Sequence, residues 1–597
     1  MNAELPKPAQ QPNLCVIKFG GSVLTSEADY VAAGAEIYRH VRAGEKTIVI
    51  VSAKFGETDE LVSQADALAG AVSPVNTARL VRIGEFKSAA LMGLVLARIG
   101  VRCKVFDPHE IGLMAKGDPL DADLTSLDRD AMNAALEDHE ALIIPGFTAG
   151  HEEHGAVTLG RGGTDLTAVF FASETGANRV RLIKDVDGVY TDDPAKDPYA
   201  KRYDELDYAT ALKASRGLIQ EKAIEAARDH DVVIEIAAVG AREATKVHAG
   251  KTVLGERRKT KPMKVALLGC GAVGSGVLDH LRHHPDLFEI NPVLVRNPGA
   301  RADDKRAFFT SQLDVALDGK PDLVIEATGG ADEPAEIMHR AFDGGAHVVS
   351  ANKAAIAKHY DALSGRAREE DTSLTFSASV GGGVVMLETV LKQRDQGDGI
   401  ASIEGVVNGT GNFILSQLEA GADFDEAVRQ AQAKGFAEAD PTADVDGHDA
   451  ADKLSLLIRL AYRVSMPPSE IPKQSLREIN ADMSAKAKAE GKVYKQIARA
   501  VLKDNGAVEA EIAIRAVPLD HPFAGARNEE NRALITMKSG EKFALFGKGA
   551  GRWPTAASVF ADIMDVQRAW MAEQLGSGDA VANDVNANPA PRPASNQ

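Results

Sequence analysis

Two short apolar runs predict where folded domains begin along the chain. Residues 15–20 (CVIKFG) and 264–269 (KVALLG) each form a β-type run that ends in glycine, and helical patterning follows each run. A buried strand that leads through a glycine turn into a helix is typical of α/β nucleotide-binding domains. The pattern therefore predicts an α/β fold class with two such domains in one chain.

The segment between these domains has the composition of a linker. Residues 255–264 (GERRKTKPMK) are basic and polar and include a proline, so we place an exposed linker at 255–262. Residues 576–597 are rich in Gly, Pro, Asn and Ala, and they carry few apolar groups to offset the entropy lost on ordering. We therefore predict a disordered tail over 571–597.

Composition and charge narrow the class of protein. Hydrophobic residues make up 44% and charged residues 26% of the 597 residues, which is ordinary for a soluble globular protein. The formal net charge of −18 argues against a nucleic-acid partner, because binding to phosphates needs a basic surface. We therefore expect small-molecule partners rather than nucleic acid.

The cysteines and the apolar runs indicate the compartment. Cys15, Cys103 and Cys270 lie far apart without a CxxC pair, which suits neither a disulfide framework nor a zinc site. The first residues lack the apolar core of an export signal, and no run reaches about 18 apolar residues. We expect a cytoplasmic protein with no membrane partner.

The glycine turn after the second run has the spacing of a dinucleotide-binding motif. Residues 269–277 (GCGAVGSGV) contain G-x-G-x-x-G between a predicted strand and a predicted helix, where a pyrophosphate can sit on the helix N-terminus. Taken alone, the motif also fits a glycine turn that binds no dinucleotide. The candidate cofactor-binding residues in this turn are Gly269, Gly271, Ala272, Val273 and Gly274.

The next strand favours NADP over NAD. Residues 292–297 (PVLVRN) end in Arg296, where an NAD site would carry an acidic residue for the ribose hydroxyls. An arginine there can bind a 2′-phosphate, as can Arg301 or Lys305. The alternative is a solvated basic turn. The following strands end in small polar residues at 323–330 (LVIEATGG) and 347–355 (HVVSANKAA), which adds Thr328 and Ser350 to the predicted cofactor cleft.

Five further motifs resemble the successive signatures of homoserine dehydrogenases. In chain order they are SANKA (350–354), SASVGGG (377–383), GVVNGTGNFIL (405–415), GFAEADPTADVDGHDAADK (435–453) and FGKGAGRWPTA (546–556). The resemblance covers about 263–570. It implies a Rossmann-type NADP-binding domain at 263–390, completed by 541–570, and an α+β substrate and dimerisation domain at 391–540. It further implies NADPH-dependent interconversion of aspartate 4-semialdehyde and homoserine by a homo-oligomer, a dimer or tetramer.

Hydride transfer to an aldehyde leaves an alkoxide that needs a proton. Asp449 and Lys453 stand four residues apart and share a helical face, and the resemblance makes Lys453 the proton donor and Asp449 its partner. The spacing also fits an ordinary surface ion pair. The resemblance assigns Lys353 to the cofactor and reactive centre. It assigns the remaining residues to the substrate (Glu438, Asp444) and the cofactor (Gly549).

Relatives in this family can hold a structural monovalent cation on backbone carbonyls. The resemblance makes Ser377, Val380, Gly382 and Val384 the possible ligands of Na+ or K+ here. The chain departs from the family pattern, since Ser377 replaces an acidic residue and Val384-Val385 replaces an Ile-Pro pair. Backbone ligands tolerate such side-chain changes.

The first domain begins with a different phosphate motif. Residues 16–24 (VIKFGGSVL) place a lysine and paired glycines at a strand end, where they can cradle phosphoryl oxygens or form a simple tight turn. Together with five further motifs, this pattern resembles the amino-acid kinase family, aspartate kinases in particular, over a domain at 14–254. These motifs are VSAKFGETDEL (51–61), GE (84–85), PGF (145–147), LGRGGTDLTA (159–168) and DVDGVYTDDP (185–194).

This second resemblance implies phosphorylation of L-aspartate to 4-phospho-L-aspartate by ATP with Mg2+. Lys18 would neutralise the transferring phosphate, and Asp165 would orient Lys18. The other residues it assigns are those that would hold aspartate (Thr58, Glu85, Arg161) and those that would face the nucleotide (Asp185, Tyr190).

Several positions depart from the kinase pattern. Lys184 replaces a threonine, Ala195 replaces an arginine, the first glycine motif is one residue short, and 217–223 (GLIQEKA) lacks the lysine expected beside the nucleotide. No residues remain for ACT-type regulatory domains before the second run. Three hypotheses therefore stay open. The chain is a bifunctional enzyme that serves threonine, methionine and lysine biosynthesis, or it is a homoserine dehydrogenase with a catalytically silent kinase-like binding and assembly module. In the third, the first domain is a kinase for another carboxylate substrate.

Overall fold

A computed structural model describes residues 8 and 10–574, except 70–72, 195, 198, 216, 242, 256–260, 435, 438–439 and 550. Contacts divide the chain into two compact units, Met1–Lys259 and Thr260–Gln597. This division falls within the segment predicted as a linker. Each unit is described below by itself.

The first unit is built on a nine-stranded sheet of order β13-β10-β12-β11-β9-β1-β2-β6-β3 and a four-stranded sheet of order β5-β4-β7-β8. Its strands are β1 (Gln11–Phe19), β2 (Lys46–Val51), β3 (Cys103–Val105), β4 (Met114–Asp118), β5 (Asp121–Ser126), β6 (Ala141–Pro145), β7 (Thr148–His151), β8 (Gly155–Thr158), β9 (Ala177–Ile183), β10 (Tyr203–Asp207), β11 (Ile234–Ala237), β12 (Thr245–His248) and β13 (Val253–Leu254). Its helices are α1 (Glu27–Arg42), α2 (Glu57–Ala69), α3 (Pro74–Val81), α4 (Ile83–Ile99), α5 (Arg129–Asp138), α6 (Gly163–Thr175), α7 (Tyr208–Ala214) and α8 (Glu221–His230).

Strand β1 lies at the centre of the large sheet, as its continuous apolar run predicts. It pairs in parallel with β2 on one side and with β9 on the other, and its residues 14–19 are buried. Strands of a parallel sheet are covered on both faces, so they read as uninterrupted apolar runs. The C-terminal ends of β9, β1 and β2 therefore meet at one edge of the sheet.

The second unit combines a parallel sheet of order β17-β16-β14-β18-β19-β20, with β15 paired to β14, and a five-stranded sheet of order β23-β22-β21-β24-β25. Its strands are β14 (Met263–Leu268), β15 (Phe288–Ile290), β16 (Val293–Leu294), β17 (Phe309–Thr310), β18 (Leu323–Glu326), β19 (His347–Ser350), β20 (Leu374–Thr375), β21 (Ile400–Val406), β22 (Lys492–Leu502), β23 (Val508–Pro518), β24 (Glu530–Met537) and β25 (Lys542–Lys548). Its helices are α9 (Ala272–Arg282), α10 (Leu313–Ala316), α11 (Asp332–Asp343), α12 (Lys353–Glu369), α13 (Ser377–Gly381), α14 (Met386–Gln396), α15 (Gly409–Glu419), α16 (Phe424–Ala433), α17 (Thr442–Val445), α18 (His448–Tyr462), α19 (Ala481–Ala489) and α20 (Arg552–Gln574).

The parallel sheet confirms the doubly wound domain that the glycine motif predicts, and the antiparallel sheet confirms an α+β part. Residues 541–570, which the resemblance adds to the nucleotide domain, divide between the two parts of the second unit. Strand β25 pairs with β24 in the antiparallel sheet, whereas α20 packs on α9, where Phe560 stacks on His280. Helix α14, which begins before the predicted boundary at 390, packs against α18, β21 and β24.

The start of the predicted tail is also too early. Helix α20 continues to Gln574, because Ala572 is still buried and Met571 still contacts Gln567 one turn earlier. The remainder of the predicted tail, 575–597, lies outside the described residues.

Candidate functional site

The glycine turn of the second unit has room for a ligand at one glycine and no room at two others. Gly269 has a φ of +93°, and a side chain on Gly274 would overlap the carbonyl of Gly269. A Cβ on Gly271 would meet nothing within 4 Å. Ala272 and Val273 then open α9. The turn therefore fits a pyrophosphate at the helix N-terminus, with open space in front of Gly271.

Of the three basic residues predicted near the cofactor, one contacts the glycine turn. The Arg301 guanidinium donates to the carbonyl of Cys270. Arg296 is exposed just after β16, and Lys305 is exposed with its Nζ 3.5 Å from the carbonyl of Ala302. Arg296 and Lys305 are thus accessible to a ligand, and Arg301 borders the place where a pyrophosphate would sit.

The buried carboxylate of Glu326 contacts residues at the ends of β18 and β19. Glu326 ends β18 and is fully buried, and it accepts hydrogen bonds from the Thr328 amide at 2.8 Å and from Ser350 Oγ at 2.8 Å. Thr328 and Ser350, both predicted at the cofactor cleft, are therefore held by one residue that the motifs did not single out. The acidic end of the otherwise apolar run LVIE was the available signal.

The predicted catalytic residues of the second unit form one cluster around the buried Asp449. Asp449 Oδ2 lies 2.9 Å from Lys453 Nζ, and Asp449 Oδ1 accepts from Lys353 Nζ. Asp449 and Lys453 are 8% and 7% exposed, which excludes the interpretation as an ordinary surface ion pair. Helices α12 and α18 thus bring together side chains that lie about a hundred residues apart in sequence.

Asn408, which the sequence analysis gave no role, joins two acidic residues of this cluster. Its amide Nδ2 lies 2.7 Å from Asp444 Oδ1 and 2.8 Å from Asp449 Oδ2, and its Oδ1 caps α15 at the Gly411 amide. The side chain is 5% exposed. Since helix N-caps are commonly Asn, the motif NGTGN signals the cap but not the bridge between carboxylates.

Burial lowers the pKa of Lys453 to about 8, against the opposing effect of nearby acidic groups, Asp444 first among them. The ammonium also donates to the carbonyl of Val407 at 2.6 Å. A lysine with this pKa can give up or accept a proton near neutral pH, whereas a solvated lysine stays charged.

Gly549 packs into the surroundings of the same cluster. A side chain at Gly549 would overlap Asn531, which is fully buried and donates from Nδ2 to the Val407 carbonyl at 3.1 Å. That carbonyl is also the acceptor of Lys453. These contacts do not test the predicted role of Gly549 in cofactor binding. Glu438, predicted to hold substrate, lies outside the described residues.

The predicted monovalent-cation site gains no support from the geometry. The Ser377 hydroxyl donates to Asp562 Oδ1 at 2.8 Å, and the Val384 carbonyl accepts from the Met386 amide at 2.7 Å. Val380 lies in the short helix α13, and Gly382 caps its end. Backbone carbonyl oxygens match the chemistry of a hard cation, but the Val384 carbonyl already accepts a hydrogen bond, so the site stays a prediction.

In the first unit, Lys18 and Asp165 meet at the edge where β9, β1 and β2 end. Lys18 Nζ lies 2.7 Å from Asp165 Oδ1, and both side chains are buried. Lys184 Nζ reaches the other oxygen of Asp165 at 3.0 Å. Burial works to raise the pKa of Asp165, but the two lysines hold that pKa below its ordinary value. The carboxylate therefore orients two cations rather than one.

The three residues predicted to bind aspartate differ in how deeply they are buried. Glu85, at the start of α4, is 3% exposed, and its Oε1 accepts from the Ala53 amide at 3.3 Å. Its Oε2 is buried without a hydrogen-bond partner among the described residues, and burial raises the pKa of this carboxyl to about 7. Thr58 is half-buried in the first turn of α2, and Arg161 is exposed after β8. Glu85 thus offers an unused buried oxygen to a cationic ligand group.

The nucleotide-side residues are less organised. Asp185 is exposed, and Tyr190 donates to Asp187 Oδ1 at 2.7 Å. Burial raises the pKa of Tyr190, and the hydrogen bond to Asp187 raises it further. Ala195 lies outside the described residues. In the 217–223 segment, Lys222 binds Asp121 at 2.8 Å on the surface.

Two further observations concern the whole of the described chain. Cys15, Cys103 and Cys270 are all free thiols, as their spacing predicts. Among the helices that the structure describes, none combines the length and the hydropathy that crossing a bilayer requires.

Comparison with known proteins gives three family models that match the chain. They are the amino acid kinase family over residues 13–238, the homoserine dehydrogenase NAD binding domain over 269–377 and homoserine dehydrogenase over 386–564. The second match covers the parallel part of the second unit except β14, and the third covers the antiparallel sheet.

Curated relatives and a solved structure agree with these matches. A homoserine dehydrogenase of Pseudomonas aeruginosa is 32% identical over 323 residues, which span 52% of this chain and 74% of that protein. One from Bacillus subtilis is 33% identical over 320 residues, spanning 52% and 73%. The crystal structure of a homoserine dehydrogenase from Thiobacillus denitrificans superposes with a TM-score of 0.51 at 29% identity, covering 56% of this chain and 79% of that one.

Proposed function

Because the chain belongs to the homoserine dehydrogenase family, we propose that its second unit interconverts aspartate 4-semialdehyde and homoserine with NADP(H) as cofactor. The observation that carries this proposal is the buried pair of Lys453 and Asp449, which the partly exposed Lys353 and the buried Asn408 both contact at Asp449. A site that reduces an aldehyde needs a proton donor with an accessible pKa, and Lys453 is such a group.

The chain's own residues supply proton transfer and positioning. NADPH, when bound, supplies the hydride to the aldehyde carbon. As negative charge develops on the carbonyl oxygen, Lys453 donates a proton to it, and Asp449 stabilises the ammonium before that transfer. Lys353, paired to Asp449 from α12, adds positive charge near the same oxygen. In the reverse direction, neutral Lys453 accepts the proton of the homoserine hydroxyl.

Substrate recognition falls to the acidic residues around Asn408. Asp444 Oδ1 accepts from Asn408, and its second oxygen has no partner within the described part of the chain, so it can take the substrate ammonium. Glu438 completes the proposed pair. The neutral amide of Asn408 donates to both Asp444 and Asp449, so it joins these two carboxylates without adding a charge.

The preference for NADP rests on Arg296. The homoserine dehydrogenase NAD binding domain shows that a nicotinamide dinucleotide binds here, and the choice between its two forms depends on the adenosine ribose. Arg296 is exposed after β16, and it makes no hydrogen bond or ion pair with another described residue. It is thus available to a 2′-phosphate, with Arg301 close to the glycine turn.

For the first unit we propose phosphorylation of L-aspartate by ATP with Mg2+. The pair of Lys18 and Asp165 carries this proposal, since it sets a buried cation at the strand edge where the amino-acid kinase motif ends. The unpartnered Oε2 of Glu85 is suited to the ammonium of an amino-acid substrate. The chain would thus act twice on the aspartate pathway in the cytoplasm, as a homo-oligomer.

One experiment on the purified full chain tests both activities. Oxidation of NADPH by aspartate 4-semialdehyde measures the dehydrogenase. Formation of aspartyl hydroxamate from ATP, aspartate and hydroxylamine measures the kinase, because hydroxylamine traps the acyl phosphate. A chain with dehydrogenase activity and no hydroxamate above the no-aspartate background would identify the first unit as a silent module.

A further inference from the structure

Lys184 occupies a position that the kinase resemblance assigns to a threonine, yet the structure buries its side chain against Asp165. Its Nζ lies 3.0 Å from Asp165 Oδ2 and 3.3 Å from Oδ1. Strand β9 ends one residue before it, and the Ile183 carbonyl accepts from the Gly20 amide at 3.5 Å. Lys184 and Lys18 therefore approach Asp165 from the ends of two neighbouring parallel strands.

The cluster carries an unbalanced buried charge. The side chains of Lys18, Lys184 and Asp165 are 7%, 10% and 3% exposed, so two cations share one anion away from bulk water. An ammonium has three donors, and within the described part of the chain each of these lysines makes its ion pair with Asp165 alone. Burying a net positive charge is costly unless an anion compensates it. The cluster therefore fits an anionic ligand.

The lowered pKa of Lys18 agrees with an excess of positive charge in this cluster. Burial lowers the pKa of Lys18 to about 8; Asp165 opposes that fall, and Lys184 adds to it. A bound anion would favour the charged form of both lysines. No comparable cation comes from the 217–223 segment, where Lys222 is half-exposed and paired with Asp121.

We propose that Lys184 is a second catalytic cation of the first unit, contacting the transferring γ-phosphoryl group of ATP together with Lys18. The inference rests on the kinase function proposed above. An oxygen of the aspartate side-chain carboxylate forms a bond to the γ-phosphorus, and the bond from that phosphorus to the β–γ bridging oxygen breaks. ADP leaves with the electron pair, and no proton moves. The two lysines stay protonated and stabilise the charge on the phosphoryl and bridging oxygens, while Asp165 pairs with both lysines and orients them.

The test replaces Lys184 by threonine, the residue that the kinase resemblance expects, with Lys222→Thr as the matched control. Loss of one positioned donor to a transition-state charge typically costs about 10²–10³-fold in turnover. We expect Lys184→Thr to lose about 100-fold in hydroxamate formation and to weaken ATP binding at least about fivefold more than ADP binding, both measured by calorimetry with Mg2+. Lys222→Thr should stay within about twofold of the unmodified chain in each measurement. Lys184→Arg, which keeps the charge, should recover part of the turnover.

Turnover in Lys184→Thr within about threefold of the unmodified chain, with an unchanged ratio of ATP to ADP affinity, would overturn the proposal. If the unmodified chain forms no hydroxamate, the kinase function fails, and the ATP-to-ADP affinity ratio alone decides the role of Lys184. If the threonine variant does not fold, as judged by melting temperature, Lys184→Gln removes the charge while retaining a donor for Asp165. The same two readouts then apply.

Discussion

The amide of Asn408 donates to the carboxylate of Asp449 at 2.8 Å, which fixes the orientation of the residue that pairs with the proposed proton donor. The same Nδ2 donates to Asp444 at 2.7 Å. One neutral side chain therefore holds a group of the proton-transfer machinery and a group of the proposed substrate site in a fixed relation. Hydrogen bonds to charged groups contribute about 1.5–3 kcal/mol each, so this bridge is worth testing by substitution.

We predict that Asn408→Ser lowers kcat/KM for homoserine at least about tenfold. Serine retains a cap for α15 but cannot reach both carboxylates, so the loss reports the bridge and not the helix. The matched control is Asn480→Ser, since Asn480 caps the exposed start of α19 at the Met483 amide, 2.9 Å away. An equal loss of activity in both variants would mean that Asn408 acts only as a cap. Steady-state kinetics with melting temperatures separate these results.

A second prediction concerns the cofactor. Arg296→Asp should reduce the preference for NADPH over NADH by at least about tenfold, because a carboxylate repels the 2′-phosphate and can accept hydrogen bonds from ribose hydroxyls. The control is Arg429→Asp, at an exposed arginine of α16 whose partner is Glu426. The ratio of kcat/KM for the two cofactors is the measurement. Equal efficiency with both cofactors in the unmodified chain contradicts the assignment of Arg296.

A third prediction uses the separation into two compact units. Lys18→Ala should abolish hydroxamate formation and leave homoserine oxidation within about threefold, since units with their own cores keep their own activities. Both rates are measured on one preparation of the full chain. Parallel loss of the two activities in a variant with an unchanged melting curve would count against independent sites.

Local patterns predicted the local parts of this architecture, and the kinase resemblance supplied one long-range pair, Lys18 with Asp165. Other long-range contacts were missed. The spacing of Asp449 and Lys453 follows from helical periodicity, and the glycine turn at 269–274 follows from the backbone it requires. Asn408 meets Asp449 from 41 residues away, Ser350 meets Glu326 from 24, and Lys184 meets Asp165 from 19. Contacts of that kind depend on strand order and crossover geometry, which no local pattern specifies.

The same dependence on long-range contacts affects the assignment of residues 541–570 to one domain. Strand β25 and helix α20 are neighbours in sequence, and the prediction assigned both to the nucleotide domain. Strand β25 is mostly partly or fully exposed, which suits the edge of an antiparallel sheet, and its pairing with β24 takes it into the other sheet. The 217–223 segment does contain a lysine, but Lys222 pairs with Asp121 at the surface instead of lying beside Asp165.

A fourth prediction separates proton transfer from charge alone at Lys453. Lys453→Ala should lose at least about 100-fold in the single-turnover rate of aldehyde reduction, with NADPH binding little changed, since a positioned proton donor typically contributes about 10²–10⁴-fold. Lys453→Arg should remain impaired, because guanidinium has a pKa above about 12 and does not release its proton readily. Near-normal single-turnover rates in the arginine variant would remove Lys453 from the catalytic residues.

The pH dependence of kcat/KM in both directions tests the central claim, proton transfer by Lys453, most directly. Because the reduction takes up one proton, the ratio of kcat/KM for reduction to kcat/KM for oxidation must change tenfold per pH unit. The pKa of the proton donor decides which of the two values changes at a given pH. Reduction needs protonated Lys453, whose pKa is lowered to about 8 by burial. Between pH 6 and 9, we predict that reduction is level up to about pH 8 and then falls, whereas homoserine oxidation rises up to about pH 8 and then levels. A transition absent near pH 8, or one that persists unchanged in Lys453→Arg, would contradict the account.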